Sequence, residues 1–422
     1  MEKNVYLPNI SDHAYAVAAA MRAYGIPAEV LAHSREETLA IGLVHCRGRE
    51  CLPCLICVGD IVHHARQPGF DPTKARYFLP GGTGPCRLPQ YGVMVREVLR
   101  PMGIEVETVT PTSETGYALF GKHPRATRML AADALAGVDV LQKALHELRP
   151  YELETGSTDH VYRRSLQRVV EGLERGKKAG LVAALRGSAR DFAAVPVDRS
   201  VPRPVVAVLG EVFVLLNLYA NHDLVREVER VGGEVLIGTF IDVLDMTETN
   251  NAQRRWRQGL MREFLGAELS RRYQVMALRR AYRPFARLLR HPLEQPLRRV
   301  YELLRPYYDP DLGGEQVLTM SRALELAGHG ASGVINVLPF SCMAGIVAAG
   351  MGPTLREAMG GIPWLDISYD GQESTNVTTR LEAFMHQVAQ FERRRGFTPI
   401  STGPVEVECR DANHPRHQTR PL

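Results

Sequence analysis

Short apolar runs alternate along this chain with stretches whose apolar residues recur every three or four positions. That alternation predicts strands and helices in βα units and therefore parallel sheets. In the first third, NVYLPNI (4–10), PAEVLAH (27–33), ARYFLP (75–80) and IEVETVTP (104–111) read as strands. SDHAYAVAAAMRAYG (11–25) reads as a helix with Ser11 or Asp12 as N-cap and Gly25 closing it. SREETLAIGL reads as a second, with Ser34 as cap and Glu37 three residues on. IVHHARQPG reads as a third, ending before Pro68, and RLPQYGVMVREVLRPMG as a fourth. HCRGRECLPCLICVGD (45–60) lies between periodic segments and reads as a loop.

Residues 122–195 carry helical periodicity throughout, with charges between the apolar positions. Proline and charge rise at DRSVPRPVV, which marks a boundary near residue 200. VVAVLG, EVLIG, GVINVLP and IPWLDISYD then read as strands of a second α/β unit. NHDLVREVERVGG, IVAAGMGPTLREAMGG and GQESTNVTTRLEAFMHQVAQFERRRG read as its helices, the last capped by Thr375 or Asn376. The expected fold class is α/β: two Rossmann-like parallel-sheet lobes with helical insertions. Residues 1–121 form the first lobe, 122–200 a helical segment, and 201–396 the second lobe, with an arginine-rich helical insertion over 252–305. Residues 397–422 form a polar, proline-rich tail.

Composition changes this picture little. At 422 residues the chain can bury a large core without covalent staples. No apolar run is long enough to cross a membrane. A net charge of +4 is too mild to argue nucleic acid, and the helical spacing of the arginines in 252–305 suits a solvated face or an acidic partner.

The candidate chemistry is concentrated in thiols. Five of seven cysteines, Cys46, Cys51, Cys54, Cys57 and Cys86, lie within 41 positions; Cys342 and Cys409 stand apart. The start MEKNVYLPNISDHAYAV shows no secretory signal and the cysteine count is odd, so reduced thiols in a cytoplasmic protein are expected rather than disulfides. Cys51 and Cys54 are spaced to share one metal group. Cys57 extends them to a CxxCxxC run similar to part of a bacterial ferredoxin site. Cys86 and Cys342 each end an apolar run beside glycine or proline, as expected for loops at carboxyl ends of strands, where open α/β sheets bind ligands. Three such loops on one iron–sulfur cluster fit this spacing better than zinc, which commonly takes two close pairs. Zinc and inert buried thiols stay open as alternatives.

Six stretches carry a resemblance: LPNISDHAYAVAAAMRAYGIPAEVL, GRECLPC, GPCRLPQYG, GEVFVLLNLYANHDLVREVERVGGEV, GVINVLPFSCMAG and IPWLDISYDGQESTNVTTRLEAFMHQV. In this order, over about residues 4–391, they resemble the iron–sulfur proteins of the 2-hydroxyacyl-CoA dehydratase family, nearest the regions fused to ATP-dependent CoA-enzyme activases. The resemblance implies a [4Fe–4S] cluster between the lobes, held by Cys51, Cys54, Cys86 and Cys342. Cys46 and Cys57 are extra thiols that bring the set to six, enough for a double-cubane cluster. It also implies low-potential electron transfer, with electrons received one at a time from a separate ATP-hydrolysing activator, itself an iron–sulfur protein. In the dehydratases that electron forms a ketyl radical on a CoA thioester, so a CoA thioester substrate and a homo- or hetero-oligomer are further expectations. No GxxxxGK[ST] motif is present, so ATP hydrolysis is assigned to the partner. The competing class is a zinc-stabilised docking protein without enzymatic activity.

Other residues carry weaker expectations. His13 and His33 read as surface residues, and His63 and His64 as neighbours pointing apart on a helix. The GGTG run reads as backbone N–H groups near cluster sulfurs, and Arg87 as added positive charge beside Cys86 or a solvated loop residue. Glu211, just after a strand, either reaches the cleft or bonds locally. Asp370, Gln372 and Glu373 sit where substrate contacts form, and Cys409 is left out of the cluster.

Overall fold

The computed structural model describes residues 3–47, 49–79, 81, 86–110, 122–291, 293–372 and 376–395. Part of the GGTG run, Glu373, Thr375 and the tail with Cys409 lie outside the described residues. The first lobe is built from β1 (Asn4–Leu7), α1 (His13–Arg22), β2 (Ala28–Val30), α2 (Glu36–His45), α3 (Leu52–Ala65), β3 (Ala75–Phe78), α4 (Tyr91–Leu99) and β4 (Glu107–Val109). A long helix α5 (Pro124–Leu148) follows, then α6 (Ser157–Ala193), which breaks at Lys177 (φ 48°) into two helical arms that pack together at Gly172 and Gly180. The rest comprises β5 (Val205–Gly210), α7 (Val212–Leu216), α8 (Leu224–Arg230), β6 (Glu234–Ile237), α9 (Phe240–Arg257), α10 (Met261–Tyr282), α11 (Leu297–Leu304), α12 (Glu315–Gly328), β7 (Gly333–Pro339), α13 (Met343–Ala358), β8 (Trp364–Tyr369) and α14 (Val377–Arg395).

The two sheets share one plan. Strand order is β2-β1-β3-β4 in the first and β6-β5-β7-β8 in the second, and all pairings are parallel. Chain direction reverses across each sheet between its first and third strands, so a crevice opens at the carboxyl ends of β1 and β3, and of β5 and β7. These are the expected two parallel-sheet lobes with helical insertions.

A single buried cluster runs through both lobes. It joins Leu55, Ile56 and Ile61 of α3 to Phe213 and Leu216 of α7, and to Val208 and Ile335 of the second sheet. The helix that carries Cys54 and Cys57 is thus wedged between the lobes. A second core packs α1, α5, α6 and α10 together through Ala16, Leu141, Leu173 and Leu278.

Four local expectations are corrected. The cysteine stretch is not a loop after Cys51: α3 begins there, because Pro53 suits a first turn and Leu52, Leu55, Ile56 and Val58 all find burial. Ser34 does not cap α2; its hydroxyl donates to Asp60 at 2.7 Å, and Arg35 and Thr38 close the helix start instead. The helical insertion starts at Phe240 rather than 252, where Thr239 caps α9 by accepting from the Asp242 N–H. His13 is buried, not on the surface, and bonds Asp139 of α5 at 2.9 Å.

Helices α2 and α3 cross at two glycines. A Cβ on Gly59 would fall on the Thr38 carbonyl oxygen, and one on Gly42 on that of Leu55. Gly59→Ala is therefore expected to destabilise by about 1–3 kcal/mol, read from the denaturation midpoint. Gly350→Ala is the control. Its helical site has nothing within 4 Å, so it should be neutral or stabilise by up to about 1 kcal/mol.

Candidate functional site

Three of the expected cysteines stand where helices begin. Cys51 is the N-cap residue of α3 and Cys342 that of α13. Cys86 precedes the short turn Leu88–Gln90 that leads into α4, and the Leu88 N–H donates to its sulfur at 3.4 Å. Two carboxyls join them. Glu211 caps α7, accepting from the Val214 N–H at 3.0 Å. Glu315 opens α12 and accepts from the Val212 N–H at 3.4 Å.

The strand ends explain this placement. β5 finishes at Gly210 with φ 138°, where a side chain would run into the Val337 backbone, so only glycine lets Glu211 leave the sheet here. β7 is followed by Ser341 at φ 60°, a left-handed conformation costing about 1–3 kcal/mol in a non-glycine residue. That turn puts Cys342 at the head of α13.

The two carboxyls act on the thiols of both lobes. Cys86 and Cys342 each feel the charges of both Glu211 and Glu315, and Cys86 also feels Cys51. Cys57, wholly buried, feels Cys51 and Glu211. Burial comes first in every shift. It raises Glu211 to about 7, against backbone N–H bonds from Val214 and Phe213. It raises Glu315 to about 8, helped by the neighbouring Glu211 charge. It lifts Cys342 to about 11 and raises Cys86 in the same direction, as loss of water around the sulfur disfavours the thiolate although part of the residue stays exposed.

Cys54 is engaged differently. Its closest electrostatic neighbour is Cys46: the two thiols interact so that the Cys54 thiol is pushed up and the Cys46 thiol down, with burial adding to the rise at Cys54. Cys54 also feels Cys51 and Cys57. Cys51 thus belongs both to the group on α3 and to the group at the two sheet ends. The Tyr91 hydroxyl lies 2.9 Å from the Cys51 sulfur, and burial followed by the Cys51 charge raises its pKa.

The described thiols are not gathered at the spacing of a single ion. Sulfurs bound to one zinc at about 2.3 Å each lie within about 3.8 Å of one another. Among the described residues no three cysteines bring their sulfurs within 4.8 Å of one another. In a cubane each thiolate binds its own iron, so the ligands sit farther apart, as suits thiols delivered by separate loops. The N-termini of α3, α12 and α13 direct partial positive charge at this region, which favours thiolates and an anionic cluster.

Residues outside the cysteine pattern add to the site. Glu211 bonds locally, as one of its two expected roles requires, and its charge reaches Cys57, Cys86 and Cys342. Tyr91 was signalled only by its place in GPCRLPQYG, and Glu315 by nothing in GGEQV. Arg87 ties the cysteine segments together by donating to the Arg49 carbonyl at 2.7 Å. His63 and His64 do point apart, toward Arg35 and Tyr77 respectively. Asp370 accepts from the Gln372 N–H in an exposed turn.

The raised carboxyls set a pH dependence. Both bind protons more tightly when folded, so their stabilisation is full below about pH 4.5 and lost as pH rises through about 7 and 8. Chelator-treated protein should therefore lose melting temperature between pH 5 and 8. Glu315→Gln should flatten that slope and melt higher than the parent at pH 8. An unchanged slope in the variant would contradict the assignment.

No family model matches the chain, and no curated protein or solved structure matches it.

Proposed function

We propose that this chain is an iron–sulfur protein of ATP-coupled, low-potential electron transfer, working as the dehydratase/activase resemblance implies. What supports the reading is that Cys86 and Cys342, from distant segments, both lie within electrostatic reach of Glu211 and Glu315, and Cys86 also of Cys51. Cys51, Cys86 and Cys342 would hold a [4Fe–4S] cluster with Cys54 as fourth ligand, and Cys46 and Cys57 would serve a double cubane. When bound, such a group supplies one-electron transfer.

The chain's own residues set the conditions. The Tyr91 hydroxyl lies 2.9 Å from the Cys51 sulfur, and donating to a cluster-bound thiolate there it would raise the reduction potential of the cluster. The carboxyls of Glu211 and Glu315 hold protons near neutral pH and can release them when charge in the cleft changes. Phe340, Met343 and Ile346 are exposed around Cys342, an apolar face suited to a separate ATP-hydrolysing electron donor.

A second reading rests on Cys54. It interacts most strongly with Cys46 and not with the carboxyl pair. If Cys54 stays there, one coordination position faces the cleft, and the chain would act on a substrate such as a CoA thioester, as a dehydratase subunit does. The zinc-stabilised docking role is the least supported, because the thiols are not gathered at single-ion spacing.

Anaerobic purification with metal and acid-labile sulfide analysis tests the reading. About four irons and four sulfides per chain are expected for one cubane, and about eight irons for two. Colourless protein with stoichiometric zinc would contradict it.

A further inference from the structure

A cavity of about 480 Å³ lies apart from the thiols, where the first lobe, the α5–α6 helices and the second lobe meet. That volume is within the range of small-molecule sites. Its wall includes Asn9 and Ser11, which follow β1, and His33, which follows β2, so it opens at the carboxyl ends of the first sheet. The Asn217 side chain donates to the Asn9 carbonyl at 3.0 Å and ties the second lobe to this wall.

The polar groups of the lining divide into satisfied and unsatisfied. Arg149 is committed to Glu229 and Asp159, and Arg226 to Asp159 and Asp223. Asp12 accepts the Tyr162 hydroxyl at 2.6 Å. His146 is different: it is only 7% exposed, it lines the cavity, and its Nδ1 has no hydrogen-bond partner. Burial, then Arg149 and Arg226, holds this imidazole well below its usual pKa, so it is a neutral donor and acceptor. Arg163 also lines the cavity and, among the described residues, makes no ion pair. A buried chain orients Ser11: Asp139 accepts the Phe240 and Ile241 N–H groups and holds Nε2 of His13 at 2.9 Å, while Nδ1 of His13 lies 3.0 Å from the Ser11 hydroxyl.

We infer that this cavity binds a small organic acid, its carboxylate on Arg163 and a hydroxyl or carbonyl oxygen on His146. One uncommitted positive charge selects a single anionic group, and a lining of mutually paired charges with an unpartnered imidazole selects oxygen-bearing carbon rather than hydrocarbon. The site is independent of the thiol cluster and stands whether or not the chain carries iron.

Glycerate and glycerol make a matched pair of probes that differ at the carboxylate. Saturation-transfer NMR and calorimetry on the full chain should show saturable glycerate binding, about millimolar, and none for glycerol. Arg163→Gln, an exposed change that leaves the fold intact, should weaken glycerate about fivefold or more. His146→Leu should abolish binding, with iron content equal to the parent in both variants. Failure of glycerate to bind, equal binding of glycerol, or parental affinity in Arg163→Gln would each overturn the proposal.

Discussion

Anaerobically isolated Cys342→Ala protein is expected to contain iron and sulfide near background, while its chelator-treated form melts with the chelator-treated parent. The two halves follow from different features of one residue. Cys342 opens α13 on the second lobe, whereas the other candidate ligands come from the first lobe, so nothing nearby replaces its sulfur. It is also only partly buried, so removing the side chain costs little packing. Cys86→Ala should behave alike, since Cys86 is exposed and its removal also costs little packing. Cys54→Ala separates the readings: a four-thiol cluster loses iron, whereas a three-thiol cluster with an open position keeps it. Cys409→Ala should leave metal content unchanged. Full iron occupancy in Cys342→Ala would remove the case for convergence of the loops.

Arg322→Ala should cost more stability than any cysteine change, about 3–5 kcal/mol in denaturant unfolding. Arg322 on α12 is 3% exposed and fully engaged. Its guanidinium pairs with both oxygens of Asp242 on α9, with Glu325, and with the Gln295 carbonyl at 2.9 Å. Truncation leaves two buried carboxylates without a cation. Arg322→Lys should recover only part of the loss, because an ammonium cannot serve both oxygens of Asp242 in the same plane. The damage reaches the thiols through a rigid element. Glu315 lies two turns earlier on the same helix, so loosening α12 shifts the carboxyl pair beside Cys86 and Cys342. A measured loss under about 1 kcal/mol would mean that the network is solvated rather than buried.

Much of the architecture could be read from periodicity. Each strand expected from an apolar run is present, because buried parallel strands are short, continuous and bounded by glycine or proline. The failures have local causes. α3 was hidden because its cysteines, read as ligands, suggested a loop, while their neighbours Leu55, Ile56 and Val58 carry the apolar content of a buried helix. α7 was hidden because VFVLL is too short and too uniformly apolar to distinguish from strand. His13 looked like a surface residue because its partner Asp139 lies 126 positions away. The same limit governs the site. Cys51, Cys86 and Cys342 were legible as candidates from their flanking residues, and Glu211 from its strand. Glu315 was not, since its environment is created only by the folding of α12 against α7.

The central claim is that sulfurs from both lobes bind one iron-containing group. Anomalous diffraction at the iron edge, on crystals grown anaerobically, measures it most directly. The account predicts iron peaks enclosed by the sulfurs of Cys51, Cys86 and Cys342. Peaks bound by α3 cysteines alone, or no iron peak in protein whose sulfurs bind zinc, would contradict it.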